Sequence, residues 1–337
     1  MKFGPVPVAE AAGAVLAHSL EAGQRPYDLQ MSYRIPKGTL LNADHIQDLI
    51  EEGHDQITVA RLEAGDVAED AAAARLAAAM LEGVARLRAT GAGAGRVNLY
   101  AEGCGLIRVD AEIIHKINAV DPMITIATVP DYHRVDAGGM IATIKIISYA
   151  VSEEALAAAC SLASGGVSLL APVYGSATLV ETTIGKPMPD KGWRAMVGRV
   201  ERMGMIMTER ALVAHEVAPL AEAIAEAPGE VVFVLTASAT SDVMDVAPEA
   251  LRAAGGVVER FGMPVDPGNL LFLGKLGEKP VIGLPGCARS PALNGADWVL
   301  ERVICGLEVR HADIAGMGVG GLLKEIPIRP RPREKGV

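Results

Sequence analysis

The sequence predicts an α/β protein. A three-layer α/β/α domain on a mostly parallel sheet occupies the C-terminal half, and a smaller mixed α+β region precedes it. Three observations carry this reading. Strand-like and helix-like segments alternate from Val167 onward, the pattern of a parallel sheet covered by helices. The run Val231–Leu235 (VVFVL) is continuously apolar and rich in β-branched residues, as a strand buried on both faces must be. Half of the 337 residues are apolar but only 4% are aromatic, so the core is aliphatic, which suits such layers better than an aromatic-rich β-sandwich.

The N-terminal region reads as follows. Residues 10–20 form a strand or short helix leading into a loop. Asn42 N-caps a helix over 42–52 with Ile46, Leu49 and Ile50 on its apolar face. Gly53 ends that helix, and Ile57 to Val59 form a strand. A second helix covers 65–87, with Asp66, Glu69 and Asp70 in its first turn, where the helix dipole favours acids. Residues 90–95 (TGAGAG) make a flexible connection, and Gly138-Gly139 turns into a strand over 140–147. No charge occurs from Leu156 to Val180, a length that could span a bilayer. Gly165, Gly166, Pro172 and Gly175 interrupt it, which predicts a helix end, a turn and a buried strand. The domain boundary is expected between Ser152 and Gly166, giving a first region of 1–160, a second of 161–310 and a tail of 311–337.

Within the second region, 167–171 reads as a strand. A helix over 190–203 carries Trp193, Met196, Val197 and Val200 on one side, and another lies within 211–227. After Val231–Leu235, Pro248 starts a helix that runs to 261, with Gly255-Gly256 weakening its middle. Residues 281–284 are a last strand and 291–307 a last helix. Gly316 to Gly321 mimics a dinucleotide fingerprint but lacks the strand that should precede one. The alternating Pro and Arg residues from Pro327 to Arg333 predict extended backbone.

Composition excludes several functions. A net charge of −10 argues against non-specific nucleic-acid binding and against an anionic membrane surface. An anionic small molecule remains open, since backbone amides hold phosphate without a basic surface. The four cysteines are widely spaced, with no C-x-x-C pair, which argues against zinc or a disulfide framework and predicts a reducing, cytoplasmic setting. The first residues lack the apolar run of a secretory leader.

Ligands of open α/β sheets bind beyond the carboxyl ends of the strands. Three loops are expected there, on one concave site. In residues 236–245, Thr236, Ser238, Thr240 and Ser241 offer hydroxyls to a phosphate. Asp242 and Asp245 are placed to hold Mg²⁺ and act in catalysis, or Asp245 caps the helix at Pro248; the residues alone leave both open. In residues 262–274, Pro267-Gly268 suits a tight turn and Asn269 can meet a polar ligand edge. In residues 284–291, Pro285, Gly286, Arg289 and Ser290 open the last helix as an anion site, or Arg289 pairs with a surface acid, and Asn294 follows one turn later on the same face. Cys287 has no nearby histidine in sequence and reads as inert.

At these loops the chain resembles the molybdopterin-binding domain shared by molybdopterin molybdotransferases and adenylyltransferases. The family's Thr/Ser-Gly-Gly loop, Asp and Pro-Asp/Glu-Ala helix start correspond to Thr236-Ala237-Ser238, Asp245 and Pro248-Glu249-Ala250. Its Pro-Gly-x-Pro loop corresponds to Pro267-Gly268-Asn269-Leu270, and its Leu-Pro-Gly-Asn-Pro-x-Ser loop to Leu284 through Ser290. A bacterial subgroup of molybdopterin-binding proteins, some fused to a cofactor nucleotidyltransferase, resembles nearly the whole chain. GMPVDPGNLLFLG, PGCARSP, NGADWVLERV, GMGVGGLLKEI and the N-terminal IPKGTLLNADHI are in its style. The resemblance implies molybdopterin as ligand, Mg²⁺ as a companion ion, and ATP for an adenylyltransferase-type activity. It also implies a homo-oligomer and a molybdoenzyme or nucleotidyltransferase as partner. Ala237-Ser238 replaces the enzymes' Gly-Gly, Leu270 their second Pro, and Cys287-Ala288 their Asn-Pro, while their Asp-Gly-Tyr-Ala signature is missing. These departures are compatible with binding and count against transfer. Three readings follow: a transferase of cofactor biosynthesis, a non-catalytic carrier for a molybdoenzyme, and a phosphate- or nucleotide-binding enzyme of another pathway.

Overall fold

The computed structural model describes residues 1–24, 32–185 and 189–323. It is a mixed α/β structure that divides into two compact units. The first comprises residues 1–102, 107–133 and 137–169. The second takes 103–106, 134–136 and everything from Leu170 onward. Helix Glu153–Leu162 therefore lies wholly in the first unit.

In the first unit, strands Lys2–Pro7, Gln56–Arg61 and Val15–Leu16 form an antiparallel sheet. Helix Ala43–Glu51 joins its core through Ile46 and Leu49, beside Leu16, Leu41 and Val59. Asn42 caps the helix as expected, with its side chain accepting the His45 amide. Ile50 does not face that core; it is 46% exposed. The second helix is shorter than its composition suggests, covering Glu69–Leu81. Asp66 belongs instead to strand Asp66–Ala68, paired with Ala150–Ser152. Leu87–Ala89 is a strand as well, and residues 90–95 form its hairpin turn into strand Arg96–Ala101. What reads as a flexible connection is tied down, because the Gly95 amide donates to Asp70 Oδ1 at 2.6 Å. Val167–Leu170 is a strand, but it pairs in a three-stranded sheet with Gly105–Val109 rather than with the large C-terminal sheet.

The large sheet of the second unit begins with Ser176–Thr183, a strand the sequence reading missed. Two parallel neighbours flank it on one side, Ile206–Met207 and Ala211–Ala214, and Val231–Leu235 on the other. Lys279–Gly283 continues the sheet in parallel, followed by Phe272–Leu276 and Val257–Phe261 in antiparallel pairing. Val231–Leu235 is thus central, and all five of its residues are buried. Val180, Val232, Val234 and Val281 on one face share a core with Leu220 and Ile224 of helix Val217–Glu226 and Ala250 and Leu251 of helix Val246–Ala253. On the other face, Glu181 and Leu235 lie beside Gly192 of helix Lys191–Arg202.

Two expected elements change. The helix starting near Pro248 stops at Ala253 because Gly255 turns the chain at φ +88°, a conformation that glycine adopts without steric cost. Val257–Phe261 then leaves as a strand. The helix expected over 291–307 is Gly295–Ile304, starting four residues after Pro291. The predicted tail is in part structured: helix His311–Gly316 buries Ile314, and the Leu323 amide donates to the Asp266 carbonyl. The Pro and Arg alternation of 327–333 lies outside the described residues. No helix of the described residues is long and apolar enough to cross a membrane.

Candidate functional site

The register fixes where the loops leave the sheet. Leu235 pairs with Glu181, Gly283 with Val234, and Phe272 with both Gly283 and Phe261. The loops after Thr183, Leu235, Phe261 and Gly283 therefore share one edge, the carboxyl edge of the parallel strands. Hydrogen bonds join them. Arg289 Nη2 donates to the Thr236 carbonyl at 2.6 Å, and the Gly295 amide donates to the Pro267 carbonyl at 2.7 Å. A Cβ at Gly268 would stand 2.7 Å from the Gly295 nitrogen, so a side chain there would push the 267–270 turn off the start of the last helix. Gly268 also has φ +144°, reached through a cis Asp266–Pro267 bond.

The first loop is largely self-satisfied. Thr236 Oγ1 donates to the Ser238 carbonyl and lies 3.2 Å from Thr240 Oγ1, both threonines being buried. Ser238, Ser241 and Asp242 are exposed, and Ser241 Oγ donates to the Ala239 carbonyl. Asp245 is the N-cap of helix Val246–Ala253: Oδ1 accepts the Val246 amide and Oδ2 the Ser241 amide. Asp242 Oδ1 accepts the Met244 amide. These are the bonds of caps and turns, and a cation would have to compete with them. Among the described residues, no group of three or more His, Cys, Asp or Glu side chains could hold a metal ion.

The third loop differs from the expected anion site. Residues Gly286–Arg289 form a 3₁₀ turn, and Ser290 precedes the helix instead of opening it. Asn294 is the buried N-cap of Gly295–Ile304, so it does not share a helical face with Ser290. Its Oδ1 accepts the Ala296 amide, and Asp297 Oδ2 accepts the Asn294 amide. The protein's own acid thus occupies the place at the helix start that a phosphate would take. Asn269 is exposed, with its Nδ2 toward the Met263 carbonyl at 3.4 Å. Pro285 is buried, Pro267 half-buried and Gly286 exposed. None of the four cysteines forms a disulfide. Arg289 is half-buried. Burial holds its guanidinium below the usual arginine value, and the Glu181 carboxylate works in the other direction.

Residues that sequence reasoning passed over surround this edge. Glu181, fully buried on strand Ser176–Thr183, receives Arg210 Nε on Oε2 at 2.5 Å; Arg210 also reaches Asp190 Oδ1 at 2.8 Å. Glu181 Oε1 has no hydrogen-bond partner. An unmade bond of this kind ordinarily costs about 1–3 kcal/mol. Thr182 Oγ1 accepts the Ala237 amide at 2.8 Å and pairs with His215 Nδ1 at 2.9 Å, tying the first loop to the neighbouring strand. Arg199 organises the third loop from helix Lys191–Arg202. It is 3% exposed; Nε donates to Asp297 Oδ1 at 2.5 Å, Nη1 to the Ala288 carbonyl at 3.0 Å, and Nη2 to the Ser290 carbonyl at 2.9 Å. Elsewhere in the second unit a pocket of about 550 Å³ is lined by Tyr174, Arg260, Lys275, Arg310 and His311.

A family model described as a domain of unknown function (DUF8806) matches residues 5–61. No curated protein matches the chain. Among solved structures, a molybdopterin biosynthesis MoeA protein from Pyrococcus horikoshii is similar at 14% identity and a TM-score of 0.31, over 90% of this chain and 75% of that one. A second structure of a MoeA protein from that organism gives 11% identity and a TM-score of 0.24, over 91% and 76%. These likenesses are too weak to assign the chain to a family.

Proposed function

We propose that this chain binds a phosphorylated pterin of molybdopterin type at the carboxyl edge of its large sheet, as a binding or delivery protein in molybdenum cofactor maturation. The observation that carries this reading is the meeting of three loops at that edge, with Arg289 on Thr236 and Pro267 on Gly295. The same three segments carry the sequence resemblance to molybdopterin-binding domains. In this reading the sheet and its helices make a three-layer α/β/α domain, Arg289 turns from the Thr236 carbonyl to the ligand phosphate, and Ser238 and Ser241 add hydroxyls. Binding is favoured over transfer by the loop chemistry. The carboxylates that a Mg²⁺- or ATP-dependent transferase would use, Asp242 and Asp245, already accept backbone amides.

Purification from a host that makes the cofactor, followed by oxidation and fluorescence detection, should reveal bound pterin. Its absence would refute the reading. Arg289→Ala should weaken pterin phosphate binding by about 1.5–3 kcal/mol, roughly 10- to 150-fold in Kd by calorimetry. An unchanged Kd would remove Arg289 from the site. Asp245→Ala should lower stability by about 1 kcal/mol through the lost cap. Calorimetry with and without Mg²⁺ then tests its second role. If Mg²⁺ tightens binding to the wild type but not to Asp245→Asn, Asp245 holds the ion and is more than a cap.

A further inference from the structure

Glu181 stands out in the second unit for one atom. Its side chain has no solvent exposure, Arg210 satisfies Oε2, and Oε1 alone among the buried side-chain polar atoms described has no partner. A carboxylate is an acceptor only, so what is missing beside Oε1 is an N–H or O–H donor. Gly192 of helix Lys191–Arg202 comes close to that oxygen. A Cβ placed on Gly192 would lie 3.0 Å from Oε1, 3.0 Å from Leu235 Cδ2 and 3.3 Å from Arg289 Cγ. The space in front of Gly192 is thus shared by Oε1, a leucine methyl and the aliphatic stem of an arginine. The head of that arginine is hydrogen-bonded to the Thr236 carbonyl and not to Oε1.

We infer that Glu181 Oε1 is the recognition point for an amine-bearing, planar heterocycle, accepting a hydrogen bond from its exocyclic NH₂ group. The inference rests on the pterin reading and deepens it by naming the residue that selects the ring. The position suits the task. Glu181 is in register with Leu235, the last residue of the central strand, so it lies at the edge from which the ligand loops leave. Leu235, fully buried beside Gly192, is the apolar side chain the ring would meet. Arg289 is half-exposed, and its side chain has to turn aside to admit a ring. When it leaves Thr236 for the ligand phosphate, its stem uncovers Oε1, so phosphate capture and ring recognition are coupled through one side chain. Arg210 and Asp190 keep Oε2 fixed, which leaves a single acceptor for a single donor.

The test uses two ligands: a pterin carrying a phosphate ester on its side chain, and the same compound lacking the 2-amino group. The wild type should bind the amine-bearing compound at least about tenfold more tightly, the scale set by a hydrogen bond to a charged group. In Glu181→Gln the amide oxygen must face Arg210, because an NH₂ group cannot accept from a guanidinium. The amide NH₂ then faces the ligand amine, and the preference should vanish or invert. The volume and the Arg210 bond survive, so the fold should too, as thermal melting would check. Gly192→Ala is the second variant, placing a methyl against Oε1 while keeping the glutamate; it should reduce the same preference. A wild type that binds both compounds equally, or a preference unchanged in Glu181→Gln and Gly192→Ala, overturns this inference and leaves pterin binding standing. A wild type that binds neither overturns both.

Discussion

Arg199→Leu is expected to lower the stability of the second unit by about 3–5 kcal/mol, as removing one partner of a buried ion pair does. The loss has two parts. Asp297 is left as a buried carboxylate without its cation, at 4% exposure. The carbonyls of Ala288 and Ser290 also lose the donors that hold the third loop against helix Lys191–Arg202. Urea unfolding of the full chain measures the effect. Leucine at both 199 and 297 should recover part of it, because the orphaned charge is gone. A single-variant loss below about 1 kcal/mol, the range of exposed pairs, would show that solvent reaches this pair.

The second large effect is pH dependence at Glu301. Burial, reinforced by Asp297, pushes its carboxyl up to about 8, against the opposing influence of Arg134, Arg202 and Arg302. Arg134 Nε lies 3.7 Å from Oε1, too far for a strong hydrogen bond. The unfolded value is near 4.5. Between these two values the folded protein keeps a proton that the unfolded chain has released. This contribution is therefore complete below pH 4.5, declines as pH rises towards 8, and is gone above it. The total is on the order of 5 kcal/mol. Glu301→Gln should abolish the decline, so that wild type and variant diverge most in melts above pH 8. Parallel stability curves from pH 5 to pH 9 would contradict a buried neutral carboxyl.

Much of the fold was legible because some segments advertise their environment. VVFVL could only be a central strand, and Asn42 could be seen as a cap. Ser176–Thr183 was not legible: Glu181 and its hydroxyl-bearing neighbours break the apolar run that marks a buried strand. The signal available was Thr178, Leu179 and Val180 followed by a turn glycine, Gly185. Val257–Phe261 merged with the preceding helix because Pro248 gives a clear start, while Gly255-Gly256 reads equally as a weak interior. The start of the last helix was misplaced for a related reason. Pro291 is a plausible first residue, yet Asn294 with Asp297 three residues later is the stronger signal. At the site, the loops were legible from their small and polar residues. The charged side chains beneath them were not. Arg199 shares the helical stripe of Met196 and Val200, where charge is normally excluded, and only tertiary packing shows that Asp297 is waiting for it.

Arg134 has a further implication. It belongs to the second unit although the first unit's chain surrounds it in sequence, as do residues 103–106. The two units are thus interleaved along the polypeptide, and a cut at residue 169 would not separate them cleanly. A polypeptide restricted to 170–323 would lack Arg134, whose guanidinium lies 3.7 Å from Glu301. Autonomy is usually read from compactness, but here it fails on connectivity. Gene fusions or truncations that treat the C-terminal half as a portable module would carry away an incomplete one.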